Sequence, residues 1–350
     1  MTADLHVVVP GALRRRTGGS LYDARMVAEL RAQGWCVQVH ELAGAFPGPD
    51  DEAEAALEAA FAAVPDSSHA LVDGLALGGH PQPVTRHAGR LRITALVHHP
   101  LADETGLDSA ERERLLASER AALAGCHDVI TTSAATRTRL DELGLFHGPV
   151  AVAEPGTDPA PPATGPAPGA APSLVCIASL TPRKGQDVLV AALARLPHRD
   201  WHCQLIGSTT ADPTFAARVA SAVVDAGLSE RVTVAGECES GTIETALNTA
   251  SLFVLPSYYE GYGMVLTEAL ARGLPVVSTT GGAIPATVPA PAAQLVPPGD
   301  AGALATALDA WLADPQARAE AAGAAWAHAH RLSDWPTAAG RLGAALKATP

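Results

Sequence analysis

The residues best equipped for chemistry fall in one stretch, Pro256-Ser257-Tyr258-Tyr259-Glu260-Gly261-Tyr262-Gly263-Met264-Val265-Leu266-Thr267-Glu268. A glycine-punctuated loop joins an apolar run ending at Leu255 to a helical pattern that begins near Gly263. The bare backbone amides at Gly263, Met264 and Val265, opening a helix, suit a phosphate, with Gly261 and Tyr262 lining the approach. Glu260 stands in front of that helix and Glu268 within its first two turns. They would face hydroxyls at opposite ends of one extended ligand. A single glutamate in such a place is ordinarily a solvated loop residue or an early-turn acid favoured by the helix dipole. The pair, with its glycines and tyrosines, points to a ligand instead.

A second patch, Ser179-Leu180-Thr181-Pro182-Arg183-Lys184-Gly185, follows the apolar run Leu174 to Ala178. Arg183 offers a planar fork and Lys184 a point charge, and together they match a group carrying two negative charges. A lone Arg-Lys pair is usually an exposed basic loop. Here it follows the first strand of the half that also carries Glu260.

The N-terminal half carries weaker signals. Thr17-Gly18-Gly19-Ser20 lies between the first strand and first helix and reads as a tight turn or a phosphate loop. It is not G-x-G-x-x-G, so a nicotinamide or flavin role loses its main support. Arg14-Arg15-Arg16 precedes it, either as a solvated loop or, through Arg16, as a grip on an anionic acceptor. His98-His99-Pro100 ends another strand; an extended segment turns only one of two neighbours inward, so His98 is favoured and His99 is the alternate. No third ligand has helical or strand spacing to this pair, so no metal site is expected. Asp103 and Glu104 downstream read as surface acids or as contacts to acceptor hydroxyls.

These residues need a scaffold, and the pattern supplies one. Short apolar runs (Leu5 to Val9, Cys36 to Leu42, Ala70 to Leu77, Ile93 to His98, Asp128 to Thr132, Pro149 to Glu154) alternate with helical segments (Leu21 to Gln33, Asp51 to Ala63, Ser109 to Ala124, Ala134 to Leu143). That alternation predicts an α/β fold with a parallel sheet covered on both faces. Residues 159–172 are rich in Pro, Ala and Gly and read as a linker. Alternation then restarts (Leu174 to Ala178, Trp201 to Gly207, Val232 to Ala235, Leu252 to Leu255, Val276 to Ser278) and ends in helices from Ala301 to Lys347, broken near Asp334-Trp335-Pro336. The expected domains are 1–158 and 173–335, with a helix at about 336–350 returning to the first. Ligands of such doubly wound sheets sit outside the carboxyl ends of the strands.

Composition narrows the function further. The chain has 350 residues, 47% hydrophobic, and a net charge of −13, which excludes disorder as its main state and any general attraction to nucleic acid or an anionic membrane. Five scattered cysteines form no disulfide or zinc pattern. There is no long apolar run and no basic segment before the N-terminal apolar stretch, so a soluble, cytoplasmic protein without integral membrane contact is expected.

With these motifs assembled, the chain resembles the retaining GT-B glycosyltransferases of family 4. That family carries a Glu-x7-Glu motif after Pro-Ser and before Glu-Ala-x-Ala-x-Gly-x-Pro-Val-Val, all found here between Pro256 and Val277. Its Arg-Lys element matches Arg183 and Lys184, its glycine loop Gly18 and Gly19, its strand-end histidine, whose ring or backbone approaches the transferred sugar, His98, and its domain-closing Gly-x-Asp Gly156-Thr157-Asp158. The match is specific from Leu174 to Val288 and loose before Thr157. Ala286 stands where relatives usually have an acid.

The resemblance implies two Rossmann-like domains and a hexosyltransferase that moves sugar from a nucleotide diphosphate, UDP favoured and GDP possible, to a soluble small-molecule acceptor with retention. Arg183, Lys184 and the amides of Gly263 to Val265 would hold the diphosphate, Ser179 would lie beside it, Glu260 would orient sugar hydroxyls and Glu268 the ribose. Arg16, His99 and Glu104 are the acceptor candidates. No metal and no permanently bound cofactor is implied. A sugar-nucleotide epimerase and a non-catalytic nucleotide-sugar binder are the alternatives.

Overall fold

A computed structural model describes residues 4–15, 17–196 and 200–348. The chain divides into two compact units, one formed by the residues up to Gly156 together with those from Ser333 onward, the other by Thr157–Leu332.

In the first unit the order is β1 (Asp4–Pro10), α1 (Gly18–Ala32), β2 (Cys36–Leu42), α2 (Asp51–Ala63), β3 (His69–Asp73), α3 (Gly74–Leu77), α4 (Pro81–His87), β4 (Arg92–Val97), α5 (Ser109–Ala124), β5 (Asp128–Thr131), α6 (Ala134–Glu142) and β6 (Val150–Val152). The strands form one parallel sheet in the order β2-β1-β3-β4-β5-β6. Sequence order reverses between β1 and β3, so the loops after these strands diverge at the sheet's carboxyl edge, where ligands of such folds bind. The apolar run Ala70 to Leu77 is not one strand. Asp73 ends β3 and its Oδ1 accepts the Leu75 amide at 2.7 Å, capping α3. The helix α4, with Pro81 and Pro83, has no counterpart in the sequence reading.

The last helix, α14 (Trp335–Ala348), belongs to this unit. It packs on α1, with Gln33 donating from its side chain to the Pro336 carbonyl at 2.8 Å and Lys347 over the Trp35 ring. Its start at Trp335 follows from Asp334, whose Oδ1 accepts the Thr337 amide.

The second unit runs β7 (Ser173–Ile177), α7 (Gln186–Leu193), β8 (His202–Ile206), α8 (Pro213–Asp225), β9 (Val232–Gly236), α9 (Ser240–Thr249), β10 (Leu252–Leu255), α10 (Met264–Ala271), β11 (Val276–Thr279), α11 (Ile284–Thr287), β12 (Ala293–Val296), α12 (Ala301–Ala313) and α13 (Pro315–Ala329). Its sheet is also parallel, in the order β12-β11-β10-β7-β8-β9. Here the reversal falls between β7 and β10, which pair with Phe253 opposite Val175. Residues 159–172 form no helix or strand, and Ala163 and Gly165 donate to the carbonyls of Arg272 and Asn248.

Each unit has its own core. Leu174, Val175, Phe253, Val254 and Leu255 are fully buried in the second, as are Val8, Val72, Ile93 and Ala95 in the first. These strands read as unbroken apolar runs because helices cover both faces of the sheet. Such cores supply the rigidity on which short polar loops can be aimed.

Candidate active site

The two motif loops of the second unit leave the sheet from neighbouring central strands. Ser179 to Lys184 follows β7, and Pro256 to Gly263 follows β10, so the switch in strand order brings them together. The Lys184 ammonium donates to Glu260 Oε1 at 2.6 Å, and Arg183 Nη1 lies 3.8 Å from Glu260 Oε2. Arg183 also donates to the Tyr259 carbonyl, and its own carbonyl accepts the Tyr258 amide at 2.8 Å. Ser257, fully buried, donates to Glu260 Oε1 at 2.6 Å. Thr279 at the end of β11 donates to the Ser257 carbonyl, which holds the loop from below.

Glu260 is 6% exposed. Burial alone would raise its carboxyl pKa, but Lys184, Arg183 and the Ser257 hydroxyl outweigh it and hold the group below its ordinary value. Glu260 is therefore an anion locked to two cations. The backbone around it is equally fixed: the Ala283 amide donates to the Glu260 carbonyl at 2.8 Å, and Gly282, at φ +60°, packs so closely that a Cβ there would run into that carbonyl. Ala286 lies on the short helix α11, whose Thr287 donates to the Tyr262 carbonyl at 2.7 Å.

Gly263 caps α10 at φ +89°, a conformation that disfavours other residues. The first amides of α10, at Met264 and Val265, have no carbonyl one turn earlier to receive them. Glu268 lies partly buried in the middle of α10 and Ser179 partly buried where β7 ends. Arg183, Lys184, Glu260 and Ser257 are thus in one cluster, Gly261 to Val265 continue from it, and Glu268 is one helix turn beyond.

In the first unit, Gly18 and Gly19 open α1 with Thr17 as the cap, accepting the Ser20 amide at 3.2 Å. A Cβ on Gly19 would sit 3.4 Å from the His98 ring, so the loop and the histidine are in contact. His98 follows directly on β4, and its ring is largely buried. His99 points elsewhere, its Nε2 lying 3.6 Å from the exposed Glu104. Arg16 lies outside the described residues.

Sequence reasoning missed two buried acids beside His98. Its Nε2 is 3.4 Å from Asp23 Oδ1 and 3.8 Å from Asp73 Oδ2. The spacing argument applied to the histidines could not find them, because Asp23 comes from α1 and Asp73 from the end of β3, far away along the chain. A signal existed: Asp23 stands in the apolar stripe Tyr22, Met26, Val27, Leu30, where an acid is out of place. Asp103, also overlooked as a structural residue, takes a two-pronged grip from Arg139 at 2.8 and 2.9 Å.

Comparison with known proteins gives the family and the fold. Residues 171–314 match the family described as glycosyl transferases group 1. Over 280 residues the chain is 33% identical to the GDP-mannose-dependent alpha-(1-6)-phosphatidylinositol monomannoside mannosyltransferase of Mycolicibacterium smegmatis, covering 72% of this chain and 69% of that enzyme. Further curated relatives are matched over 31% to 55% of their own length. Among solved structures, sucrose-phosphate synthase from Thermosynechococcus elongatus superposes with a TM-score of 0.81 at 23% identity over 97% of both chains. Anabaena HepE, crystallised with UDP-glucose, gives 0.76 at 19% identity over 98% of this chain and 99% of its own. Two Rossmann-like units of this kind are the GT-B architecture. The chain belongs to the group 1 glycosyltransferases.

Proposed function

We propose that the protein transfers a hexose from a nucleotide-diphosphate sugar to a hydroxyl acceptor with retention at the anomeric carbon, and that the Arg183–Lys184–Glu260 cluster grips the donor. The observation that carries this reading is the meeting of two cations, a buried carboxylate and the amide end of α10 at the strand-order switch of one sheet. A leaving nucleoside diphosphate is dianionic near the reacting bond. Lys184 has three protons, and pairing one with Glu260 orients the others without neutralising the ammonium. The Arg183 fork and the amides of Gly263, Met264 and Val265 add fixed positive charge where negative charge grows in the transition state. Glu260 would aim sugar hydroxyls and Glu268 would take the ribose.

The acceptor attacks from the face that the diphosphate leaves, and the departing oxygen takes its proton. This step needs orientation and electrostatic support and no protein nucleophile. Glu260 and Glu268 lie along one helix approach and not across one bond, so a glycosidase-type acid and base pair is not supported. Side chains supply the positive charge, and the reading needs no metal at the diphosphate.

GDP-mannose ranks first among donors to test. The relative named for it is 33% identical, whereas HepE, at 19% identity, shares the fold. A soluble polyhydroxylated acceptor is favoured by the net charge of −13, and no helix of the described residues is long and apolar enough to cross a membrane. Incubation with GDP-mannose, UDP-glucose and UDP-N-acetylglucosamine, with polyol and polyol-phosphate acceptors, tests the reading. Acceptor-dependent release of nucleoside diphosphate, with an axial product linkage by NMR, is expected. Sugar isomerisation without net cleavage would make the protein an epimerase, and no turnover with tight binding would make it a binder.

A further inference from the structure

The first unit holds a cluster that the donor grip does not use. Asp23, Asp73 and His98 each offer one ligand atom, and these atoms all lie within 4.8 Å of one another. Asp23 is 2% exposed, yet neither of its oxygens has a hydrogen-bond partner among the described residues; the same holds for His98 Nε2. Two carboxylates this close, out of water, demand positive charge nearby. Among the described residues, the imidazole is the basic group in contact with both.

We infer that Asp23 is a positioning residue for His98: with Asp73 it fixes the imidazole as a cation whose Nε2–H faces the two acids, leaving Nδ1–H as the donor available to a ligand. This rests on the reading of His98 as a residue that meets the transferred sugar.

Three observations support it. The imidazole is enclosed on several sides. Tyr22 of α1 stacks edge-on at 5.2 Å, Gly19 closes the Cδ2–Nε2 edge, and the hydroxyls of Thr132 and Thr136 donate to the His98 carbonyl at 3.4 and 3.3 Å. Among the described residues, the titratable groups facing the ring are Asp23 and Tyr22 from α1 and Asp73 from β3, and the end of β5 and the start of α6 bring those hydroxyls. Secondly, Nε2 is buried, while the His98 side chain keeps 19% of its surface exposed, so Nδ1 is the nitrogen left for a ligand. Thirdly, the charges are matched. Burial would depress the imidazole pKa, but Asp23 first and Asp73 second raise it above the ordinary value. Burial and then the neighbouring Asp23 raise the Asp73 carboxyl to about 7.

The sign of the pH effect follows. A histidine with a raised folded-state pKa stays cationic until pH climbs past that value, so activity that needs the cation falls only on the alkaline side. Removing the Asp23 charge brings that fall to lower pH. The test compares the full-length wild type with Asp23→Asn, Asp23→Glu and His98→Ala, using kcat, donor KM and the ring-proton NMR titration of His98. Asp23→Asn should lower kcat about 10-fold or more on the alkaline side, with donor KM little changed. It should also move both the His98 titration and the alkaline limb to lower pH, and Asp23→Glu should recover part of each. Unchanged His98 titration in a folded Asp23→Asn protein overturns the inference. Wild-type turnover in His98→Ala overturns the reading of His98 beneath it. A stoichiometric divalent ion in the purified protein, lost together with Asp23, would make the cluster a metal site and overturn the inference as well.

Discussion

The two units use charge in opposite ways. In the second, the carboxylate of Glu260 is paired: Lys184 and Ser257 donate to Oε1, Arg183 lies 3.8 Å from Oε2, and its loop is fastened through Gly282 and Ala283. In the first, Asp23, Asp73 and His98 crowd together with buried polar atoms left unpaired. On the reading proposed above, the paired cluster remains charged and holds its place when a dianion arrives. The other holds the His98 imidazole as a cation against two acids. The second unit would then supply electrostatic grip and the first a fixed hydrogen-bond donor.

Deleting one charge of the paired cluster should have the largest effect. Lys184→Ala strands Glu260 as a buried, half-compensated anion. We expect turnover to drop by about 10²-fold or more and stability to fall by about 3–5 kcal/mol. Chemical denaturation and steady-state rates on the same preparation separate the two losses. The double variant Lys184→Met, Glu260→Gln removes both charges and should recover most of the stability while remaining inactive. If the double variant turned over donor normally, the grip assignment would be lost.

A backbone change comes next. At φ +60°, Gly282→Ala puts a methyl group against the Glu260 carbonyl and should displace the acidic loop. Strain of about 1–3 kcal/mol is expected, with donor KM raised more than the unfolding midpoint is lowered. Gly19→Ala, whose methyl group would only touch the His98 ring, should act more mildly and on kcat. Equal effects of the two variants on donor KM would erase the contrast between the units.

What could be read from the sequence follows the same division. Glu260, Lys184 and Arg183 were legible because each lies in a contiguous loop directly after a strand, where residue type and neighbouring glycines report on one another. Parallel topology then brings the two loops together without further information. Asp23 and Asp73 were not legible as a pair, since only the register of β1, β3 and β4 places them beside His98. The strand boundaries were readable to within a residue or two, except where a local cap intervened. Asp73 stops β3 in mid-run by turning its carboxylate to the Leu75 amide, and a hydrophobic pattern cannot show that. The short edge strand β12 passed unnoticed because Ala293–Val296 is too brief and mixed to stand out. Ser257 was quoted within its motif but not as a hydrogen-bond donor, a role visible only once the loop's curvature is known.

The acid response provides a smaller test. Glu260 has a depressed pKa, so its contribution to stability is complete above the ordinary 4.5 and is lost as pH falls below it. Glu119 behaves in reverse. Burial raises its carboxyl to about 8, and Oε1 has no partner among the described residues while Oε2 accepts the Leu101 amide. Its stability cost is absent below 4.5 and grows as pH rises toward 8. Melting temperatures measured across that range should therefore flatten in Glu119→Gln, and the acid limb should weaken in Glu260→Gln. A wild-type pH profile retained by both variants would remove these charge assignments.

The central claim is that a nucleoside diphosphate is held by the second unit through Arg183, Lys184 and the amide end of α10. Calorimetric titration of GDP and UDP into the wild type, into Lys184→Met, Glu260→Gln and into Asp23→Asn tests it directly. The account predicts that one nucleotide binds the wild type, that the double variant binds it at least about 10-fold more weakly, and that Asp23→Asn binds it as the wild type does. Undiminished affinity in a folded double variant would contradict the account.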